Sequence, residues 1–284
     1  MSQNETLHHL NGRLVPESEM KISAFDIGLL RGFAVFDFLI TYPDSQPFRL
    51  RDHIDRLYNS AKLIELGIPW SKEAMDGWVR EALTANHNGQ EKTIRIVVSG
   101  GVGSDSVTPN DEHPTSLIFI HPNHPYPQEM YKEGAGITTV KHARAIPGAK
   151  SNNYIEGVRR IREARAQGAV EPVYYDDEQV FEGATSNVFA VIEGKLYTPN
   201  RNILPGITRK VLLEILDLNE AVEVGDFPVE KLREATEVFL TASNKEVMPV
   251  TVIDGQPVGN GQVGRVTREV MNQFRAYTES DIWR

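Results

Sequence analysis

Between residues 51 and 66 the apolar positions Ile54, Leu57, Ala61, Ile64 and Leu66 recur close to every third or fourth residue. That is the spacing of an amphipathic helix, with Gly67 as its expected stop. Ser71, followed by Glu73 and Asp76, predicts a second helix running to about Ala85. Elsewhere the pattern shortens to strands. Residues 6–10 and 13–15 flank Asn11-Gly12, the strongest short hairpin signal, and residues 34–41, 93–99 and 116–121 are rich in branched and aromatic side chains. Three prolines then fall within His121-Pro122-Asn123-His124-Pro125-Tyr126-Pro127, a stretch that can continue neither strand nor helix. Beyond it, strands are expected at 136–140, 172–175, 179–181, 187–192, 195–198, 221–224 and 237–240. Helices are expected at 153–166, 208–216, 229–234 and 263–277. The pattern predicts a small α+β domain over 1–121, a linker over 122–134 and a larger α+β domain over 135–284, with a mainly antiparallel sheet.

Composition narrows the function. The net charge of −9 and the scattered basic residues argue against nucleic acid as the main partner. No apolar run approaches the length of a membrane span, and the first residues lack a basic stretch followed by an apolar one, so a cytoplasmic protein is expected. With no cysteine, neither disulfides nor thiolate metal sites arise. Asn4-Glu5-Thr6 fits a glycosylation pattern that is a chance match without a secretory leader. His121 and His124 sit among prolines, with no regular element to aim them at a metal. Ser99-Gly100-Gly101-Val102-Gly103-Ser104 lacks the ending of a phosphate-binding P-loop and reads as a mobile loop. Asp176-Asp177-Glu178 reads as an acidic hairpin tip.

The chemistry gathers around Ile146-Pro147-Gly148-Ala149-Lys150-Ser151-Asn152-Asn153-Tyr154. There Lys150 follows a sharp turn and precedes a helix that begins near Asn153. Most loop lysines are solvated charges, but one held and desolvated by its neighbours can act as an amine nucleophile. Glu182, in Phe181-Glu182-Gly183-Ala184-Thr185-Ser186-Asn187, is a carboxylate at a strand end, able to pair with a pyridine nitrogen; alone it would be an ordinary turn acid. Leu204-Pro205-Gly206-Ile207-Thr208-Arg209 leads into a helix whose free amides, with the Thr208 hydroxyl, suit a phosphate as well as a routine cap. Thr241-Ala242-Ser243-Asn244 offers hydroxyls after a strand, or simply a polar turn. Arg56, in His53-Ile54-Asp55-Arg56-Leu57, could give a phosphate a fork of donors across the domain gap, or belong to a surface ion pair.

In this order the motifs resemble the class IV, fold-type IV aminotransferases over nearly the whole chain. That family includes branched-chain aminotransferases, D-amino-acid transaminases, (R)-amine transaminases and aminodeoxychorismate lyases. The resemblance implies a two-domain α+β fold and a homodimer whose active sites borrow loops from the neighbour. It also implies pyridoxal 5'-phosphate, with Lys150 forming the Schiff base and Glu182 holding the pyridine nitrogen. Arg56, Ile207, Thr208 and Ser243 would hold the phosphate, and Tyr154 would lie near the ring oxygen.

Where branched-chain enzymes usually show a Phe-Glu-Gly-x-Arg stretch, this chain has Phe33-Ala34-Val35-Phe36-Asp37-Phe38. Residues 99–109 also lack the Arg-x-His pair of the usual D-amino-acid enzymes. Leu30-Arg31-Gly32-Phe33 and Ile94-Arg95-Ile96 instead resemble a less typical group of D-amino-acid transaminases. In that group two arginines placed this way take the substrate α-carboxylate. The expected activity is transfer of an amino group from a D-amino acid to a 2-oxo acid such as 2-oxoglutarate or pyruvate. A branched-chain L-amino-acid aminotransferase is the next reading, then a lyase or (R)-amine transaminase. Arg31 and Arg95 adjoin strongly apolar segments, so burial would force each to bind a ligand or pair with an acid such as Asp26 or Asp37.

Overall fold

The computed structural model describes residues 5–42, 45–218, 222–280 and 282–283. The chain divides into two compact units. One comprises Met1–His124, Ala149–Asn153 and Trp283–Arg284, and the other Pro125–Gly148 and Tyr154–Ile282. Residues 149–153 and the C-terminal end therefore group with the first unit, although the sequence pattern places them in the larger domain. Asn4 of the glycosylation pattern and Ala221, the expected start of a strand, lie outside the described residues.

The first unit contains strands β1 (Leu7–Leu10), β2 (Arg13–Pro16), β3 (Ala34–Tyr42), β4 (Gln46–Pro47), β5 (Lys92–Ser99) and β6 (Thr115–Pro122). They form one sheet in the order β2-β1-β6-β5-β3-β4. The β1–β2 hairpin turns on Asn11 and Gly12, at φ 48° and 82°, the left-handed pair that a two-residue hairpin requires. The α-helices α1 (Ile27–Arg31), α2 (Leu50–Leu63) and α3 (Lys72–Ala85) accompany the sheet. Leu50, Ile54, Leu57 and Ala61 of α2, with Met75, Val79 and Ala82 of α3, pack on Val35, Leu39, Ile94, Ile96, Val98 and Ile118. Each such fully buried large aliphatic contributes roughly 1.5–3 kcal/mol. Helix α2 ends before Gly67, because Glu65 takes up the left-handed conformation at φ 59°. Gly67 serves a close approach instead: a Cβ there would stand 2.8 Å from the Asp111 side chain, which accepts the Gly67 N–H.

The second unit begins with α4 (Gln128–Glu133), a short helix where only linker was expected; it starts directly after Pro127. Then follow β7 (Ala135–Lys141), α5 (Ile155–Ala166), β8 (Glu171–Tyr175), β9 (Val180–Gly183), β10 (Asn187–Ile192), β11 (Lys195–Thr198), α6 (Ile207–Ile215), β12 (Val222–Val224) and α7 (Val229–Arg233). The chain closes with β13 (Glu237–Ala242), β14 (Glu246–Ile253), β15 (Gln256–Pro257) and α8 (Arg265–Glu279). The sheet order is β12-β11-β10-β13-β14-β7-β8-β9, with β15 on β14. Its β14–β7, β7–β8 and β11–β12 pairs are parallel and the rest antiparallel. Val173, Val188, Ala190, Leu232, Leu240 and Met248 lie in its core. No helix among the described residues is long and apolar enough to cross a membrane.

Candidate active site

In the first unit, β3 works through one edge and both faces. Along the edge, Ser151 bridges Val35 in antiparallel fashion, the Phe36 N–H donates to the Lys150 carbonyl at 2.9 Å, and Asn152 N–H donates to Ala34 O at 2.9 Å. The Lys150 stretch is thereby laid against β3 as a strand would be. Successive side chains of a strand alternate, so Phe36 and Phe38 point to one face and Asp37 to the other. The register puts Lys150 opposite Phe36, with Nζ 4.7 Å from the ring centroid. Arg95, paired across the sheet with Phe38, sets its guanidinium 5.1 Å from the Phe36 ring and 5.5 Å from the Phe38 ring. Lys150 and Arg95, two of the expected site residues, thus share one aromatic ring.

On the other face Asp37 enters the core and is fully buried. It accepts from Arg56 Nε at 2.9 Å, from Arg56 Nη2 at 2.8 Å and from His53 Nδ1 at 2.6 Å. Burial works against its charge, but Arg56 and His53 outweigh it and hold the carboxyl well below the usual carboxylate range. Burial pushes His53 down, against the pull of Asp37; its Nε2 is buried without a hydrogen-bond partner among the described residues. Arg56 is therefore not a solvated surface residue. A further link runs from it to Lys150: Ser60 Oγ donates to Arg56 O at 2.8 Å and accepts the Lys150 N–H at 3.0 Å.

Arg31 and Arg95 are both exposed, although each adjoins an apolar segment. Arg31 ends α1, where it donates to Leu30 O at 3.0 Å and to Ser106 Oγ at 3.1 Å. The two acids weighed as alternative partners are engaged elsewhere, Asp37 as above. Asp26 caps α1 through Gly28 N–H and accepts from the Ser99 and Thr115 hydroxyls. The glycine-rich loop expected to be mobile is tied to the same segment: Ile27 N–H donates to Gly101 O, and Gly100 N–H to Phe33 O.

In the second unit, Glu182 lies at the end of β9, buried, with Oε1 paired to Arg144 Nη2 at 2.7 Å. Its Oε2 accepts the Leu204 N–H at 2.8 Å and Asn187 Nδ2 at 3.4 Å. Asn187 also donates to Leu204 O at 2.9 Å and stands opposite Thr241 in the β10–β13 pair. Gly206 presses on it so closely that a Cβ would lie 1.9 Å from Asn187 Oδ1. One asparagine therefore gathers three of the motifs: Glu182, the Leu204-Pro205-Gly206 turn that starts α6, and the Thr241–Ser243 turn. Ile207 and Thr208 occupy the first turn of α6, whose N-cap, Gly206, contributes no side-chain cap. The amides of a first helical turn have no partner within the helix and suit an anion. Thr241 Oγ1 is buried without a hydrogen-bond partner among the described residues. Tyr154 stands at the N-cap of α5. Its neighbour Tyr174 is pushed up to about 12 by burial, then by Glu171, Tyr154 and Glu182 around it.

Asp37, His53, Phe36, Arg144 and Asn187 are absent from the expected site residues. The strict alternation of Ile94, Ile96 and Val98 was a usable sign that Arg95 faces away from the core; nothing near Arg144 marked it.

The amino-transferase class IV family matches residues 34–253. The chain belongs to this family. Its curated relatives include a protein of Methanocaldococcus jannaschii named as a branched-chain-amino-acid aminotransferase, 37% identical over 94% of each chain. The D-alanine aminotransferase of Staphylococcus haemolyticus is 33% identical, over 95% of this chain and 97% of that one. Among solved structures, the branched-chain amino acid aminotransferase of Escherichia coli superposes with a TM-score of 0.90 at 28% identity, covering 98% of this chain and 97% of that one. Another branched-chain enzyme, solved with pyridoxamine 5'-phosphate, gives 0.89 at 31%, covering 96% and 94%. The α+β, fold-type IV architecture expected from the motifs is the one found. Class IV aminotransferases use pyridoxal 5'-phosphate. The residues here suit that group: a buried, arginine-paired carboxylate for the ring nitrogen, a helix N-terminus without a side-chain cap, and a buried hydroxyl with no hydrogen-bond partner among the described residues beside the phosphate motifs.

Proposed function

We propose that this class IV aminotransferase moves amino groups from D-amino acids to 2-oxo acids. Lys150, Arg56, Tyr154, Glu182, Ile207, Thr208 and Ser243 would hold pyridoxal 5'-phosphate. When bound, the cofactor supplies an electron sink for the bond broken at the substrate Cα. Lys150 Nζ would be the amine that attaches the cofactor and, once displaced by the donor amine, the general base and acid that takes the proton from the substrate Cα and passes it to the cofactor. Glu182, paired to Arg144, would hold the ring nitrogen protonated. Asp37 fixes the plane of the Arg56 guanidinium, and the turns gathered by Asn187 would fix the phosphate, a contribution of orientation.

The observation that carries the substrate reading is the shared Phe36 ring. Arg95 lies over the same ring as the Lys150 amine, so a donor whose nitrogen meets Lys150 can bring its α-carboxylate to a guanidinium. Arg31 is the second carboxylate ligand in this reading, supplied by the neighbouring subunit of a homodimer. Phe25, Leu29 and Val107, at 73%, 62% and 66% exposure, give that part of the first unit an apolar surface suited to such a contact. Sedimentation at several concentrations reads the dimer.

A branched-chain L-amino-acid aminotransferase is the second reading, favoured by the identity with the Methanocaldococcus jannaschii relative. Single-turnover spectra with D- and L-alanine, D- and L-glutamate, L-leucine and (R)-phenylethylamine separate the two. Conversion by D-alanine or D-glutamate well ahead of L-leucine supports the first reading, and the reverse order replaces it with the second.

A further inference from the structure

Glu171 and Lys245 form an ion pair at 3.1 Å in the second unit, with side chains 1% and 3% exposed. Neither belongs to the motifs above. Removing two charges from water is costly, and a buried pair is a poor source of stability for its own sake. What this pair touches gives it a role. Glu171 accepts the Thr185 N–H at 2.6 Å, the Thr185 hydroxyl at 2.9 Å and the Ser186 hydroxyl at 2.7 Å, all in the turn that follows Glu182. Gly183 in that turn comes so close that a Cβ would stand 2.4 Å from Ser186 Oγ and 3.2 Å from the Glu171 carboxyl. Lys245 lies two residues beyond Ser243, in the tight turn between β13 and β14 that its own N–H closes onto Ala242 O at 3.0 Å. Its Nζ donates to Thr185 Oγ1 at 2.7 Å and sits 5.7 Å from the Tyr126 ring centroid, while its carbonyl accepts the Tyr131 hydroxyl at 3.2 Å. The pair is thus a strap joining the 183–186 turn to the 243–245 turn.

We propose that Glu171 and Lys245 are positioning residues that set the place of the Ser243 turn against the Glu182 turn, so that the phosphate of the cofactor finds Ser243 and the start of α6 at one spacing. This rests on the reading of Ser243 and α6 as the phosphate site. Glu182 itself is held by Arg144, Leu204 and Asn187, so loss of the strap acts on the phosphate and leaves the ring-nitrogen contact in place.

The test titrates apoenzyme with pyridoxal 5'-phosphate and, separately, with pyridoxal, which has no phosphate, and records the thermal midpoint of each variant. Lys245→Met strands a buried carboxylate and lowers the midpoint. Adding Glu171→Gln removes the stranded charge and restores much of it. The proposal expects the double variant to bind pyridoxal 5'-phosphate at least ~10-fold more weakly than wild type, the equivalent of about one charge-assisted hydrogen bond, while pyridoxal affinity changes little. Should the Met variants fail to fold, Thr185→Val gives the same reading, because it removes only the hydroxyl shared by both charges at an exposed residue. Wild-type affinity for pyridoxal 5'-phosphate in these variants, or equal weakening for both probes, overturns the proposal. Failure of the wild-type apoenzyme to take up pyridoxal 5'-phosphate overturns the underlying reading of the site instead.

Discussion

Phe36 and Lys150 stand opposite each other across an antiparallel backbone pair, and the ring of one lies 4.7 Å from the amine of the other. The backbone pairing fixes where the lysine starts, and the ring fixes where it ends. Lys150 is half-buried, and the two lysines that are fully buried have other tasks: Lys92 donates to Asn88 and Lys245 is strapped to Glu171. Lys150→Ala should abolish transamination, leave the thermal midpoint near that of wild type and still allow non-covalent cofactor binding. Borohydride reduction of wild type followed by peptide mapping should place the label on Lys150. A label on any other lysine would remove the assignment.

Glu182→Gln should keep cofactor binding largely intact and slow the half-reaction by ~10-fold or more, since an amide cannot hold the ring nitrogen protonated. Losing one charge-assisted hydrogen bond at a buried site corresponds to roughly 1.5–3 kcal/mol. Arg144 then loses its counter-charge, so Arg144→Met in the same background should recover stability without recovering rate. An unchanged rate in Glu182→Gln would show that this carboxylate does not meet the ring.

Much of this was legible in the sequence where local chemistry leaves one solution. Asn11-Gly12 demanded a hairpin and formed one. Leu204-Pro205-Gly206 demanded a turn into a helix, and α6 begins there. What stayed hidden depends on partners far along the chain. β14 contains Pro249, which argues for an edge strand, yet it lies between β13 and β7, with a register shift between Val250 and Val252 on the β7 side. Lys150 belongs to the first unit because it pairs with β3, more than a hundred residues earlier, and no periodicity encodes that. Arg144 finds Glu182 across 38 residues for the same reason.

The buried Asp37–His53–Arg56 cluster predicts how stability follows pH. Asp37 is held below its unfolded value, so its contribution is complete above about pH 4 and is lost as pH falls through the range below. His53 is also depressed, so folding is favoured while it is neutral, above about pH 6.5, and weakens as the unfolded state takes up the proton first. His8 and His9 are depressed by burial and act in the same direction. The urea midpoint should therefore fall from pH 7 to pH 5, and His53→Asn should show a smaller fall than wild type. Asp37→Asn should cost about 3–5 kcal/mol at neutral pH by leaving Arg56 buried without this charge partner. An equal slope in His53→Asn and wild type would remove His53 from this account.

Substrate choice rests on Arg31 and Arg95, and their geometry separates ligand binding from structure. Neither is buried. Arg95 is held over two phenylalanine rings, an arrangement worth roughly 0.5–2 kcal/mol that orients the guanidinium. Arg31 is held by a carbonyl and a hydroxyl, contacts that position a side chain without neutralising it. Each can give a carboxylate a charge-assisted hydrogen bond, and losing one should raise KM for D-amino acids by ~10- to 100-fold, matching about 1.5–3 kcal/mol. (R)-Phenylethylamine has no carboxylate, so its half-reaction should be nearly unchanged in Arg31→Ala and Arg95→Ala. Measuring both variants with D-alanine and (R)-phenylethylamine decides the point. Equal losses on the two donors would make the arginines structural, and preference for D-amino acids would lose its main support.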